Sequence, residues 1–304
     1  TTTPRPRRID GILAAFDTSL PYQLTAGQQR VGETLFAELA TERPMHRLLQ
    51  GEVGSGKTLV ALRAMLAVVD ARGQAALLAP TEVLARQHYA SITALLGELG
   101  AAGMLEAHPQ ATQVAFLTGS LTAAGRRSAR AAVASGEAGL VIGTHALLSE
   151  GVEFADLGLV VVDEQHRFGV EQRAALAAKS ERQPHTLVMT ATPIPRSVAM
   201  TVFGDLETIE LRDRPAGRAE VKTVFVDTAR NPHWVDRAWE RIREEVTEGR
   251  QAFVVCPAIS GNKTEGELEA GAGLSAVMEV APMLAEGPLK GLRVGMVHGR
   301  QAAA

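Results

Sequence analysis

The chain has 304 residues, 46% of them hydrophobic and 21% charged, a composition typical of a globular protein with a buried core. The formal net charge is −3, so overall charge gives no indication of nucleic-acid binding, and any such surface would have to be local. A single cysteine, Cys256, excludes an internal disulfide and favours the reducing cytoplasm. No apolar run approaches the ~20 residues of a membrane span, so we expect no membrane partner.

The first segment, residues 1–19, opens with TTTPRPRR and is interpreted as a linker, because no apolar core follows its prolines and arginines. From residue 20 to residue 212, short apolar runs alternate with helical patterns. The runs lie at 46–50, 75–80, 114–119, 140–147, 157–164 and 185–192. They are continuous rather than alternating, as expected of strands covered on both faces. This region therefore predicts an α/β domain with a parallel sheet and helices on both faces.

A second domain is predicted for residues 213–304. The segment 211–218, LRDRPAGR, combines charge, proline and glycine as a domain boundary does. Beyond it, apolar runs at 221–226, 251–258 and 292–299 predict strands, and a helix is predicted around Trp234 to Val246. This segment is too short to complete the same architecture. We expect it to be the opening part of an incomplete domain.

The stretch GEVGSGKT fits the pattern G-x-x-x-x-G-K-[ST] in full and lies between a predicted strand and a predicted helix. Its glycines allow successive backbone amides to face an anion, and the helix that follows adds its positive end. The predicted phosphate-binding residues are Gly51, Glu52, Val53, Gly54, Ser55, Gly56, Lys57 and Thr58. Lys57 is expected to reach the β- and γ-phosphates, and the Thr58 hydroxyl to bind Mg²⁺.

The strand at 157–164 ends on two adjacent acids, Asp163 and Glu164. In a protein with this phosphate-binding loop, an acid at the end of a strand lies beside the phosphates and holds Mg²⁺. We therefore assign Asp163 to the metal ion and Glu164 to the water that attacks the γ-phosphate. Two acids are needed because the metal and the water are different targets.

Six motifs together resemble the first motor domain of superfamily-two helicases, and they come in that family's order: GEVGSGKT, APTEVLARQH, LTGS, GTHALL, DEQHRFGVEQR and TATPIPR. The combination of DEQHRFG with TATPIPR most resembles the RecG family of bacterial branch-migration helicases. The resemblance runs from about residue 20 to residue 300. It implies a RecA-like motor domain at 20–212 and the start of a second RecA-like domain at 213–304.

The same resemblance implies a function. A member of this family uses ATP and Mg²⁺ to remodel branched or forked DNA, such as stalled forks and Holliday junctions, in recombination and repair. It would act as a monomer in the bacterial cytoplasm. The family's wedge domain and arginine fingers have no counterpart in these residues. We therefore expect this chain alone to bind ATP weakly and to show little DNA-stimulated hydrolysis.

The resemblance also implies roles for single residues. Gln28 would hydrogen-bond the adenine edge, with Tyr22 close to the base. His166, as a catalytic residue, would hydrogen-bond toward the coupling segment Thr190, Ala191 and Thr192. Loops that follow strands would touch the DNA backbone through Pro80, Thr81, Thr118, Gly119, Thr144 and His145, whose hydroxyls and amides suit phosphate contacts without net charge. Whether Arg126, Arg127 and Arg130 add a basic patch or form a solvated helix face stays open.

Three other functions share part of this pattern. The motor of a transcription-repair coupling factor also resembles TATPIPR, although a different tetrapeptide is expected there in place of DEQH. A nucleotide kinase or GTP-binding switch uses the same phosphate-binding loop. That class is opposed by TATPIPR and by LTAGQQ at residues 24–29, which resembles the adenine-recognising motif of the helicase family. A binding module without hydrolysis is opposed by the presence of Lys57, Asp163 and Glu164.

Overall fold

The chain folds into two compact units, residues 1–218 and 219–304, in a computed structural model. The structure describes residues 1–103, 108–149, 151–163, 182–191, 206–213, 222–259 and 276–301. The division falls at the end of the segment 211–218. Among the described residues, no helix has both the length and the hydropathy that a membrane span requires.

The first unit is built on a seven-stranded parallel sheet, as the continuous apolar runs predict. Its strands follow the order β3-β4-β2-β5-β6-β1-β7. Their bounds are β1 His46–Gly51, β2 Gln74–Leu78, β3 Val114–Leu117, β4 Leu140–Gly143, β5 Leu157–Asp163, β6 His185–Thr190 and β7 Glu207–Leu211. Because all pairings are parallel, the carboxyl ends of the strands lie at one edge of the sheet. The loops that follow the strands therefore share that edge.

Five helices of this unit are described: α1 Ile12–Ser19, α2 Ala26–Leu39, α3 Lys57–Asp70, α4 Glu82–Leu96 and α5 Ala123–Ser135. Short 3₁₀ turns cover Gly97–Gly100 and His145–Leu148. Buried side chains form one core cluster on each face of the sheet. On β5, Val161 packs in one cluster and Val160 and Val162 in the other, because successive side chains of a strand point to opposite faces.

The strand β7 was not predicted. It pairs with β1 at the edge of the sheet, with Leu49 opposite Ile209, and its sequence ETIEL mixes polar and apolar residues. An edge strand keeps one side in solvent, and a search for continuous apolar runs overlooks it.

The interpretation of residues 1–19 as a linker is wrong. They contain α1, whose Ile12, Leu13 and Phe16 are buried in the core of the first unit. The Asp70 carboxylate caps this helix by accepting from the Ile12 amide at 2.6 Å and the Leu13 amide at 3.3 Å. The spacing of the three apolar residues already marks the buried face of a helix. The prolines and arginines before them concealed that signal.

The second unit contains α6, His233–Thr247, and α7, Val277–Glu286. The helix predicted around Trp234 to Val246 is confirmed by α6. A small core joins Val280, Leu284 and Leu289 to partly buried side chains that include Trp239 and Ile242.

The three strands predicted in the second unit are wrong for the residues that the structure describes there. Residues 222–227, 251–256 and 293–298 have no regular secondary structure and form no ladder, and Ala258 and Ala276 make an isolated bridge. Phe225, Phe253 and Val255 are each close to nine-tenths exposed. An apolar run forms a strand only if a neighbouring strand accepts its hydrogen bonds, and these segments have no such neighbour among the described residues.

Candidate nucleotide and nucleic-acid sites

The phosphate-binding loop, Gly51–Thr58, connects the end of β1 to the start of α3. Gly54 and Gly56 have φ angles of 81° and 91°, in the left-handed region that disfavours residues with a Cβ atom. Gly56 is the N-cap of α3, and a Cβ atom there would lie 2.3 Å from Nε2 of Gln28. The first amides of α3 have no partner within the helix, so its positive end is directed at this loop.

Lys57 is the first residue of α3, and its side chain folds back over the loop. The ammonium Nζ donates to the backbone carbonyl oxygens of Gly51 at 2.6 Å and Glu52 at 2.9 Å. Thr58 follows in the first turn of the helix. Glu52, Val53 and Gly54 are exposed, whereas Ser55 is buried. The loop thus presents an open surface beside a cation that is held by two carbonyls, an arrangement suited to an anionic ligand.

Gln28 lies on α2 and contacts the phosphate-binding loop. Its Nε2 donates to the backbone oxygen of Ser55 at 3.0 Å, and its Oε1 accepts from the Thr25 amide at 3.0 Å. The side chain is 6% exposed. The structure therefore places Gln28 against the loop, and its predicted contact with an adenine edge stays a prediction.

Tyr22 lies beside an open cavity of about 410 Å³, and its side chain is half exposed. The walls of this cavity come from the segment between α1 and α2, through Leu20, Pro21, Gln23 and Leu24, together with Asp17 and Gln29. An aromatic ring beside an apolar wall is the kind of surface on which a nucleotide base packs. The assignment of Tyr22 to the base remains a prediction.

Asp163 is the last residue of β5, as the predicted metal carboxylate should be. Its Oδ2 atom lies 2.6 Å from Nε2 of His88, and the two side chains are only 13% and 12% exposed. Mg²⁺ prefers oxygen ligands, and the assignment of the Thr58 hydroxyl and the Asp163 carboxylate to this ion stays a prediction. The parallel sheet directs both chain segments to the same edge, with β6 between β5 and β1.

His88 is the residue that the sequence analysis missed. It lies on α4, where Ala85, Ile92 and Leu96 form the buried face. His88 comes three residues after Ala85 and four residues before Ile92, and these spacings place it on the same face of the helix. A polar residue among these apolar positions was the available signal.

The predicted coupling segment begins at Thr190, the last residue of β6. This strand lies between β1, which leads into the phosphate-binding loop, and β5, which ends at Asp163. Thr190 is buried, and its Cα pairs in register with that of Gln50 on β1. Ala191 is partly buried. The predicted residues Glu164, His166 and Thr192 lie outside the described residues.

The predicted DNA-contact loops follow β2, β4 and β3, which are neighbours in the sheet. The structure therefore brings Pro80–Thr81, Thr144–His145 and Thr118–Gly119 to one side of the sheet edge. Thr81, Gly119 and His145 are exposed, whereas the side chains of Thr118 and Thr144 are buried. Thr81 and Thr144 also cap the turns that follow them, by accepting from the amides of Leu84 and Ala146. Contact with a ligand would come mainly from the exposed members of this set.

Two of the three arginines of α5 belong to this region. A cavity of about 280 Å³ is lined by Thr118, Gly119, Arg126, Arg130, His145 and Ser149, among others. Arg126 donates to the Gly119 carbonyl at 2.9 Å, and Arg130 to Ser149 Oγ at 3.4 Å. Arg127 is exposed and does not line the cavity. The placement of Arg126 and Arg130 adds positive charge beside the exposed loops.

Comparison with known proteins identifies the family. The chain is 53% identical to the ATP-dependent DNA helicase RecG of Mycobacterium tuberculosis over 97% of its length, which is 40% of that protein. It is 39% identical to RecG of Thermotoga maritima, over 97% of this chain and 35% of the relative. The chain thus spans about two-fifths or less of these relatives.

A solved structure described as RecG bound to a three-way DNA junction superimposes with a TM-score of 0.69. Its sequence identity to this chain is 36%, and the match covers 93% of this chain and 34% of that one. The family model for DEAD/DEAH box helicases matches residues 25–201, more than half of the chain. The chain therefore belongs to the DEAD/DEAH box helicase family.

Proposed function

We propose that this chain is the ATP-dependent motor part of a DNA helicase of the RecG type, which couples ATP hydrolysis to the remodelling of branched DNA. One observation carries the proposal. The phosphate-binding loop and three loops that suit a DNA backbone follow strands of one parallel sheet, and Asp163 ends another strand, so that all of them share one edge of the sheet. The similarity to RecG over nearly the whole chain supports the choice of substrate.

The proposed ATP site uses the residues around the phosphate-binding loop. Lys57 would exchange its bonds to the Gly51 and Glu52 carbonyls for the β- and γ-phosphate oxygens, which makes the cation available without a large rearrangement. Thr58 and Asp163 would hold Mg²⁺, which draws negative charge from the phosphates. Tyr22 would pack against the base. Gln28 would hydrogen-bond the adenine edge.

Hydrolysis would depend on residues that follow β5 and β6. Glu164 would orient the attacking water and accept its proton. His166 would hydrogen-bond toward Thr190, Ala191 and Thr192. Through this bond, the structural change that follows loss of the γ-phosphate would be transmitted to the end of a neighbouring strand. These roles rest on the order of the motifs in the sequence.

The proposed DNA track consists of Pro80, Thr81, Gly119 and His145, with Thr118 and Thr144 shaping the loops from within. Phosphate contacts of this kind position a nucleic acid without reading its sequence. Arg126 and Arg130 would supplement them with charge, which makes binding sensitive to salt. A track of this kind is compatible with the net charge of −3.

The alternative functions are less well supported. The similar proteins are described as RecG, which favours that helicase over a transcription-repair coupling motor. Membership of the helicase family argues against a nucleotide kinase or a GTP switch. We also propose that the protein acts as a monomer in the bacterial cytoplasm, in keeping with its bacterial relatives.

The proposal is tested by phosphate release from the product of the complete reading frame, without DNA, with linear duplex and with forked DNA. We expect the forked substrate to give the highest rate. Equal stimulation by linear duplex would favour a duplex translocase instead. If neither DNA substrate changes the rate of phosphate release, the helicase assignment is contradicted. Arg127→Ala serves as a control beside Arg126→Ala and Arg130→Ala, which should weaken binding of forked DNA.

A further inference from the structure

The contact between His88 and Asp163 has no role in the site described so far. We propose that His88 is a positioning residue, which holds the Asp163 carboxylate in the orientation that the divalent cation requires. This inference rests on the proposed function, because it concerns the same ATP site. The juxtaposition that carries it is the 2.6 Å distance between His88 Nε2 and Asp163 Oδ2, with both side chains nearly buried.

The direction of the hydrogen bond follows from the chemistry of the pair. An ionised carboxylate can only accept, so Nε2 of His88 carries the proton and donates it to Oδ2. The imidazole cannot act on the metal itself through that nitrogen. Its effect is to fix the plane of the carboxylate, and hence the direction in which the second oxygen, Oδ1, faces.

The helix that carries His88 is firmly placed. The N-cap Thr81 accepts from the Leu84 amide, and Ile92 and Leu96 are buried in the larger core cluster. The Tyr89 ring also packs against the Phe116 ring of β3, with centroids 5.1 Å apart. A histidine on such a helix has little freedom to follow a moving partner.

The backbones that carry the two residues are neighbours as well. The strand β5 pairs with β2 up to the contact of Val162 with Leu78, one residue before Asp163. Three residues then lead from the end of β2 to the start of α4 at Glu82. The distance between His88 and Asp163 is therefore set by a short, hydrogen-bonded route.

The rotation of a carboxylate held in this way is already restricted before the cation binds. Binding of the cation therefore carries little further cost in side-chain entropy. Partners that orient a metal ligand commonly change metal affinity by roughly 10–100-fold when they are removed. Since Mg²⁺ keeps several waters and binds largely through the phosphates, we expect the lower end of this range.

The test compares the wild-type chain with His88→Leu, which removes the donor, and His88→Gln, which retains an N–H in a similar place. The exposed Ser91→Leu on the same helix is the matched control. Calorimetry gives the affinity for a non-hydrolysable ATP analogue with Mg²⁺ and with EDTA, and the ratio of the two affinities measures the contribution of the metal. We expect His88→Leu to reduce this ratio about tenfold, with unchanged affinity in EDTA, and His88→Gln to restore most of it.

Several results would overturn the inference. The first is a ratio of affinities, with Mg²⁺ and with EDTA, that His88→Leu leaves unchanged. The second is a ratio that His88→Leu raises, because the imidazole would then compete with the cation for the carboxylate. A wild-type chain that binds the analogue but gains nothing from Mg²⁺ would contradict the inference alone. A wild-type chain that binds no nucleotide would overturn the proposed function, and the inference with it.

A second measurement needs no variant and remains decisive if His88→Leu fails to fold. The ¹⁵N spectrum of the wild-type histidines reports whether the Nε2 proton of His88 stays hydrogen-bonded. We expect the bond to persist when Mg²⁺ and the analogue are added. Loss of the bond under these conditions would contradict a positioning role.

Discussion

The side-chain amide of Gln28 donates to the backbone oxygen of Ser55 at 3.0 Å, which ties α2 directly to the phosphate-binding loop. The same side chain accepts from the Thr25 amide and so closes a capping box at the start of α2. Because Gln28 is 6% exposed, neither bond is easily replaced by water. The residue expected to recognise the base therefore also supports the loop that should bind the phosphates.

We predict that Gln28→Glu destabilises the first unit and weakens nucleotide binding. The new carboxylate retains the acceptor for Thr25 but places an oxygen against the carbonyl of Ser55. The free energy of unfolding should fall by about 1–3 kcal/mol, the usual cost of a buried group left without its partner. Urea denaturation measures this change, with the exposed Glu33→Gln on the same helix as control. Equal stability of the two variants would show that the bond to Ser55 contributes little.

The second prediction concerns the ion pair between Asp17 and Arg63 and its contribution to stability. Arg63 donates to both carboxylate oxygens at 2.8 Å, and its side chain is only 4% exposed. Asp17→Ala would leave the guanidinium group buried without its anion, and we expect a loss of about 2–4 kcal/mol in the free energy of unfolding. Asp10→Ala, which breaks an exposed pair with Arg8, should cost less than about 1 kcal/mol. A similar loss for both variants would contradict a structural role of α1.

His185 gives a prediction about pH. Burial lowers its pKa from 6.5 to about 4, since the charged imidazole would lose its hydration in the core. The folded chain thus keeps His185 neutral, while the unfolded chain protonates it below pH 6.5. Between pH 6.5 and about pH 4 the unfolded state binds a proton on His185 that the folded state does not. The free energy of unfolding therefore falls as the pH falls through this range.

From pH 7 to pH 5 we expect His185 to account for a loss of about 2 kcal/mol. In His185→Asn a neutral oxygen can replace Nδ1, which accepts from the Met45 amide at 3.1 Å. Urea denaturation of both proteins at the two pH values isolates the contribution of the histidine. If the variant shows the same decrease as the wild type, the histidine is not the group responsible.

Some features of the fold and of the site follow from a local sequence pattern alone. The strands β1 to β6 of the first unit were predictable because runs such as Leu159 to Val162 are covered on both faces. The phosphate-binding loop was predictable because its glycines and Lys57 meet a local geometric requirement. Both signals are contained within a few consecutive residues.

The features that were missed depend on tertiary contacts. The helix α1 is held by Asp70, nearly 60 residues away in the chain, and the contact of His88 with Asp163 joins residues 75 apart. In the second unit, Phe253 lies in an apolar run yet forms no described ladder. A short segment cannot indicate which distant group will bond to it.

The role of Glu164 is tested by Glu164→Gln in the product of the complete reading frame. The amide retains the shape of the side chain but cannot accept a proton from water. We expect binding of ATP and Mg²⁺ to stay nearly intact, while phosphate release with forked DNA falls at least about 100-fold. Asp163→Asn should differ by disturbing the dependence on Mg²⁺. Loss of binding and turnover together would indicate that Glu164 is structural.

The central claim is that Gly51–Thr58 binds the phosphates of ATP through Lys57. Calorimetry of ATP with Mg²⁺ on this chain tests it most directly, with Lys57→Ala beside the wild type and Lys290→Ala as a control at an exposed lysine. Because Lys57 supplies the cation for the β- and γ-phosphates, its removal should weaken affinity at least tenfold, or by about 1.4 kcal/mol. Lys290→Ala should bind as the wild type does. Unchanged affinity in Lys57→Ala would contradict the account, since the nucleotide would then bind elsewhere.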